Sequence, residues 1–196
     1  GKSSVIKSLY QALGADPAIE HPRWKSADIR VLLTFTVDGK QYQAFRAAGT
    51  HALFRRGVLL GRYSSVTKGL GPVLAELLGF RLRLTDRQGE VVVPPPAYMF
   101  LPFYCDQDVG WTKPWSSFAR LEQFANWRQE VIYFHVGIRS GRYYLALEKA
   151  AQAKMKREQA ALEQRALNEL DRRVEFSSDV DADIDVQSFQ REIDEL

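Results

Sequence analysis

Residues 1–14, GKSSVIKSLYQALG, decide how the rest of the chain is read. Gly1, Lys2 and Ser3 match the last three positions of the phosphate-binding pattern G-x-x-x-x-G-K-[ST]. In that pattern backbone N–H groups surround the phosphates, the Lys reaches the outer ones and the hydroxyl binds Mg²⁺. The first five positions of the pattern are not in the sequence, and so short a match also arises by chance. Its context favours function. Val5, Ile6, Leu9 and Leu13 fall on one helical face, and Gly14 with Asp16-Pro17 supplies a stop. The pattern therefore opens a helix, whose free N–H groups and dipole favour an anion. A match that begins inside the pattern gives the expectation that these 196 residues are a segment of a larger chain.

The remainder reads as mixed α/β. Ile29–Val37 is rich in β-branched and aromatic residues, Asp38-Gly39 is a hairpin turn, and Tyr42 to Arg46 runs back. HALFRRGVLLGRYSS (51–65) continues the sheet, punctuated by Gly57 and Gly61. A short helix is expected over Pro72–Leu78, ended by Gly79. A second hairpin, 81–93, turns at Asp86–Gly89, and Pro94-Pro95-Pro96 ends it. Helical turns and an apolar stretch, Val131 to Val136, follow in 114–137. Between Arg142 and Val174 there is neither Gly nor Pro, which predicts a helix of about 33 residues spanning roughly 50 Å. Its apolar positions, among them Tyr144, Leu147, Met155, Leu162 and Leu170, form a narrow stripe suited to a coiled-coil arm. Acidic SSDVDADIDV (177–186) is expected to break it, with a second helix starting in QSFQREIDEL. The organisation is thus a lobe over 1–140 and an arm root with a following helix start over 141–196.

Composition excludes some classes. Lys+Arg 27 against Asp+Glu 24 gives a net charge of +3, which permits contact with nucleic acid without arguing for it. The lone Cys105 excludes an internal disulfide, and with His21, His51 and His135 it offers no zinc spacing. A reducing, cytoplasmic setting is expected. The sequence holds no apolar run of about 18 residues, so no membrane span is expected. Cys105, flanked by aromatics, is expected to be buried. Arg46, Arg55, Arg56, Arg62 and Lys68 fall in one sheet-rich region, either as a nucleic-acid face or as plain surface.

The second informative stretch is FLPFYCDQDVGW, 100–111. Asp106-Gln107-Asp108 reads either as a solvated turn or as a polar cluster held by the packed aromatics around it. A neutral amide there can bind Mg²⁺ through its oxygen and orient an attacking water without a titrating charge beside phosphates.

In order, G-K-S-S, a hairpin-built sheet, a glutamine loop about a hundred residues on, and a long departing helix resemble the N-terminal half of an ATPase head. The type is that of structural maintenance of chromosomes (SMC), a group that includes double-strand-break repair ATPases and bacterial defence ATPases. FLPFYCDQDVGW resembles the glutamine loop of the defence relatives, such as Lamassu-type systems. The resemblance implies an α/β N-terminal lobe of a P-loop, ABC-type head carrying a coiled-coil root, with ATP and Mg²⁺ as ligands. Lys2 would neutralise the outer phosphates, Ser3 would ligate Mg²⁺, and Gly1 and Ser4 would line the phosphates. Gln107 would sit on Mg²⁺ and the attacking water. Asp106 and Asp108 carry no implied role beyond shaping the loop. A second head, DNA and an effector subunit are the implied partners. Two elements of such heads are missing: an apolar strand ending in Asp-Glu, and the signature motif that caps a second head's ATP. This segment alone is therefore not expected to hydrolyse ATP well. A non-enzymatic interaction module with a projecting helix is the alternative. A small P-loop kinase or GTPase is less compatible with the hairpins that follow the first helix.

Overall fold

The computed structural model describes residues 2–27 and 29–194, with side chains described as far as residue 173 except that of residue 25. The elements run α1 (Lys2–Ala12), α2 (Pro22–Lys25), β1 (Val31–Val37), β2 (Lys40–Ala47), β3 (Thr50–Arg55), β4 (Val58–Tyr63), α3 (Gly71–Leu77), β5 (Leu84–Thr85), β6 (Val91–Val92), α4 (Ala97–Phe100), α5 (Trp127–His135) and α6 (Gly141–Asp194). Two compact units divide between Lys149 and Ala150.

Within the first unit, β1 to β4 form an antiparallel meander in sequence order. Each connection is a two-residue turn: Asp38-Gly39, Ala48-Gly49 and Arg56-Gly57. Both residues of every turn have positive φ (48° and 71°, 45° and 74°, 49° and 78°). That is the type I′ geometry, whose twist matches the twist of the strands it joins. In β1 burial alternates residue by residue, with Val31, Leu33, Phe35 and Val37 turned inward. The inward face packs Ala44 and Leu53 against Ala12 of α1 and Val73 and Leu77 of α3. β3 and β4 slip register between Leu53 and Phe54, a bulge that brings Gly61 opposite Leu53. The hairpin expected over 81–93 is present but short, with two residues in each strand. Asp86 closes its turn by accepting from the N–H groups of Gln88 and Glu90, both at 2.9 Å.

A second core gathers Tyr98, Phe118, Leu121, Phe124, Trp127 and Val131. Tyr98 donates its hydroxyl to the Leu121 carbonyl at 2.7 Å and meets Trp127 edge-on, with centroids 5.5 Å apart. The start of α6 belongs to this core. Tyr144 is fully buried and bonds Glu130, while Arg83 Nε donates to Glu148 at 2.8 Å.

Two expectations fail, and α1 turns inward a face other than its apolar stripe. The α1 stripe does not face the core: Val5, Ile6 and Leu9 are 62%, 43% and 39% exposed, and the helix buries Lys7, Gln11 and Ala12 instead. Of the four stripe residues, Leu13, just past the helix end, joins a core. The acidic stretch 177–186 does not interrupt the long helix, since α6 continues to Asp194. Ser, Asp and Val each cost an α-helix only a few tenths of a kcal/mol, roughly, and only Gly or Pro would cost more. Cys105 is exposed, because its neighbour Asp106 takes the interior position.

In the second unit, the described apolar residues of α6, Met155, Leu162, Leu167 and Leu170, are exposed.

Candidate functional site

α1 ends in a complete Schellman motif. The Gly14 N–H reaches the Gln11 carbonyl at 3.0 Å, and the Ala15 N–H reaches that of Tyr10 at 2.9 Å. Gly14 supplies the left-handed φ of 79° that this geometry requires. The chain leaving α1 then pairs with the segment that follows the glutamine loop. The Ala18 N–H donates to the Ser117 carbonyl (3.0 Å) and the Ala119 N–H to that of Asp16 (2.9 Å). These bonds hold the loop alongside the helix.

Three residues of α1 at helical spacing, Ser3, Lys7 and Tyr10, meet this loop. They lie at i, i+4 and i+7, which places them on one face. Ser3 Oγ donates to Gln107 Oε1 at 3.1 Å, joining residues 104 apart in sequence. Lys7 Nζ lies 3.2 Å from Asp106 Oδ1 and 2.5 Å from Asp108 Oδ2, and it also donates to the Ile19 carbonyl at 3.3 Å. The Tyr10 ring packs against Phe100, Tyr104 and Phe118, with centroids 5.4, 4.7 and 5.3 Å away. The contact thus grades from a hydrogen bond, through an ion pair, to an aromatic cluster.

The loop itself is braced. The Asp106 N–H donates to Ser117 Oγ at 2.9 Å, and the Tyr104 hydroxyl donates to Asp106 Oδ1 at 3.3 Å. Gly110 closes the turn by donating to the Asp106 carbonyl at 2.9 Å. A Cβ at Gly110 would stand 2.6 Å from that carbonyl oxygen and 2.7 Å from Cys105 Sγ. Asp106 is wholly buried and Lys7 is 5% exposed. Burial by itself would lower the Lys7 ammonium, but its hydrogen bonds to Asp108 and Asp106 outweigh this and hold it above its ordinary 10.5. Burial, and then the charge of Asp106, push the Tyr104 hydroxyl up, so it stays a donor.

Of the residues singled out from the sequence, Ser3 and Gln107 are brought into contact. Lys2 and Ser4 lie exposed on the first turn of α1, Ser4 beside a cleft of about 370 Å³ lined also by His21, Arg23 and Trp24. Gly1 lies outside the described residues. Among the described residues no group of three or more His, Cys, Asp or Glu could hold a metal. A hydroxyl beside an amide oxygen fits a different donor set, that of a Mg²⁺ ion which takes most of its ligands from water and phosphate and only one or two from protein. The sequence reading missed Lys7. Its signal was the Ser3–Lys7–Tyr10 spacing, which competed with the more apolar stripe on another face.

Over 150 residues, 76% of its length, the chain is 31% identical to the Lamassu protein LmuB of Bacillus cereus (strain VD014). It is similar to a Lamassu protein. The chain spans about a quarter of that protein's length (26%). No protein-family model matches the chain, and no solved structure matches it. Among the described residues no helix is long and apolar enough to cross a membrane.

Proposed function

We propose that the chain is the ATP-binding N-terminal lobe of an SMC-like, ABC-type ATPase that acts in anti-phage defence. The observation that carries this reading is the Ser3–Gln107 contact at 3.1 Å. It joins the two segments the sequence marked for phosphate and Mg²⁺ chemistry, and it places their oxygens at the N-terminal end of one helix. Similarity to LmuB supports the defence role.

On this reading Lys2, exposed on the first turn, neutralises the outer phosphates, and Gly1 and Ser4 line them. Ser3 and Gln107 present oxygens to Mg²⁺, which when bound supplies charge neutralisation for phosphoryl transfer to water. The Gln107 amide also orients the attacking water. Asp106 and Asp108 hold Lys7 and stay off the metal. Binding of ATP engages a second head, DNA is the substrate on which engagement acts, and α6 is the root of a coiled-coil arm. An effector subunit would receive the signal.

The test is Mg-ATP turnover by the full-length protein, with and without DNA. Lys2→Ala should abolish nucleotide binding. Gln107→Ala should bind ATP and turn it over at least about 100-fold more slowly, the range lost when a transition-state contact is removed. Wild-type turnover by Lys2→Ala would reject the reading in favour of a non-enzymatic interaction module.

A further inference from the structure

Lys7 is a cation one helical turn beyond a phosphate-binding motif, so a direct role on phosphate is the first role to consider for it. The geometry rules that role out. An ammonium has three N–H donors, and Lys7 has three acceptors: Asp106 Oδ1, Asp108 Oδ2 and the Ile19 carbonyl. With 5% of its surface exposed, it has neither a spare donor nor an opening to a ligand. Stability is a poor explanation as well, because a buried ion pair gains little over well-packed apolar residues of the same volume. What a buried pair does supply is register.

The register in question is that of Gln107. Asp106 and Asp108 both direct their carboxylates to Lys7, while the residue between them directs its side chain to Ser3. Gln107 is exposed, and a free glutamine side chain has much rotamer freedom to lose when it is frozen. Gripping the residue on each side fixes the backbone from which the amide projects. The grip comes from the same helix face that presents Ser3, so amide and hydroxyl are referred to one rigid element. The two halves of the grip differ. Asp106 is wholly buried, whereas the Asp108 side chain is 54% exposed.

We infer that Lys7 is a positioning residue for Gln107, acting through Asp106 and Asp108, and that Asp108 is the half that can be removed without damage to the fold. This inference rests on the ATPase reading above.

The experiment is steady-state Mg-ATP turnover by the full-length protein, comparing Asp108→Asn, Asp108→Glu and Lys7→Gln with Gln107→Ala and the wild type. Asp108→Asn should lower kcat about 10-fold or more, in keeping with the cost of a small displacement of a reacting group. Its KM should stay within about twofold, and its melting temperature should fall far less than that of Asp106→Ala, since the Asp108 carboxylate is half in solvent and Asn still offers Lys7 an oxygen. Asp108→Glu should recover most of kcat, because the longer side chain still reaches Lys7. Lys7→Gln should lower kcat at least as far. If Asp108→Asn and Lys7→Gln turn over like the wild type while Gln107→Ala has lost turnover, the inference is wrong and the ATPase reading stands. A rise in KM without a fall in kcat also overturns it, by placing Asp108 on the nucleotide. No turnover by the wild type, or full turnover by Gln107→Ala, overturns the ATPase reading and the inference together.

Discussion

Asp106 is the residue on which the site's stability turns. Its carboxylate is wholly buried beside Lys7, so replacing it leaves the buried ammonium with the half-exposed Asp108 carboxylate as its remaining counter-charge. Asp106→Ala should cost about 3–5 kcal/mol, the usual cost of removing one partner of a buried pair. Chemical denaturation would show this as a lower midpoint with an unchanged slope. The Lys7 side of the pair has a definite pH sense. Its folded value lies above 10.5, so its contribution is complete below 10.5 and is lost as pH rises through the higher folded value. His51 behaves oppositely. Burial, and then the charge of Arg46, hold it below its ordinary 6.5. Its contribution is therefore complete above 6.5 and lost as pH falls from there through the folded value. The melting temperature should drop as pH falls below about 6.5, and His51→Leu should remove part of that slope. Lys7 escaped the sequence reading because a buried lysine is rare unless paired. Its partners lie 99 and 101 positions away, a distance that periodicity does not cross.

At the scale of elements, the sheet was largely legible and the site helix was legible in its bounds but not its orientation. Asp38-Gly39 announced its turn by residue type, whereas Ala48-Gly49 and Arg56-Gly57 carry a first residue that is uncommon in the left-handed region. Each places a Cβ where Asn would be better tolerated, so Ala48→Asn should raise stability by roughly 0.5–1 kcal/mol. Thermal melting is the check, with Gly49→Ala moving the opposite way because of its φ of 74°. In α1 the apolar stripe was visible, yet a hydroxyl, an ammonium and a tyrosine ring are the groups that face the loop. Each of those has a specific partner in the glutamine loop, whereas Val5, Ile6 and Leu9 stay exposed. The acidic stretch in α6 misled for a simpler reason. It has the composition of a linker but no residue that forbids a helix.

For the whole molecule, the division falls between Lys149 and Ala150, several residues into α6 and beyond the composition change at Gly141. Tyr144 and Glu148 are the reason, since both take part in the first unit's packing and ion pairs. A chain ending at Lys149 should unfold cooperatively at close to the original temperature. One ending at Ser140 loses Tyr144 from the core and should be destabilised by about 3–5 kcal/mol, as for other large aromatic deletions. Calorimetry on the two truncations would decide. The departing helix was readable from its lack of Gly and Pro. Where it stops belonging to the lobe was not, because that depends on what Tyr144 meets.

The Ser3, Lys7 and Tyr10 contacts fix the angular phase of α1 as well as its distance from the loop. One alanine inserted between Ser4 and Val5 would turn the first two groups apart by about 100° and shift them by about 1.5 Å. The string G-K-S-S would survive untouched, and a motif scan would score the variant as before. Yet the hydroxyl would now point away from the amide while the ammonium stayed in its grip. In this protein the motif and the site are separable properties, and a single inserted residue parts them.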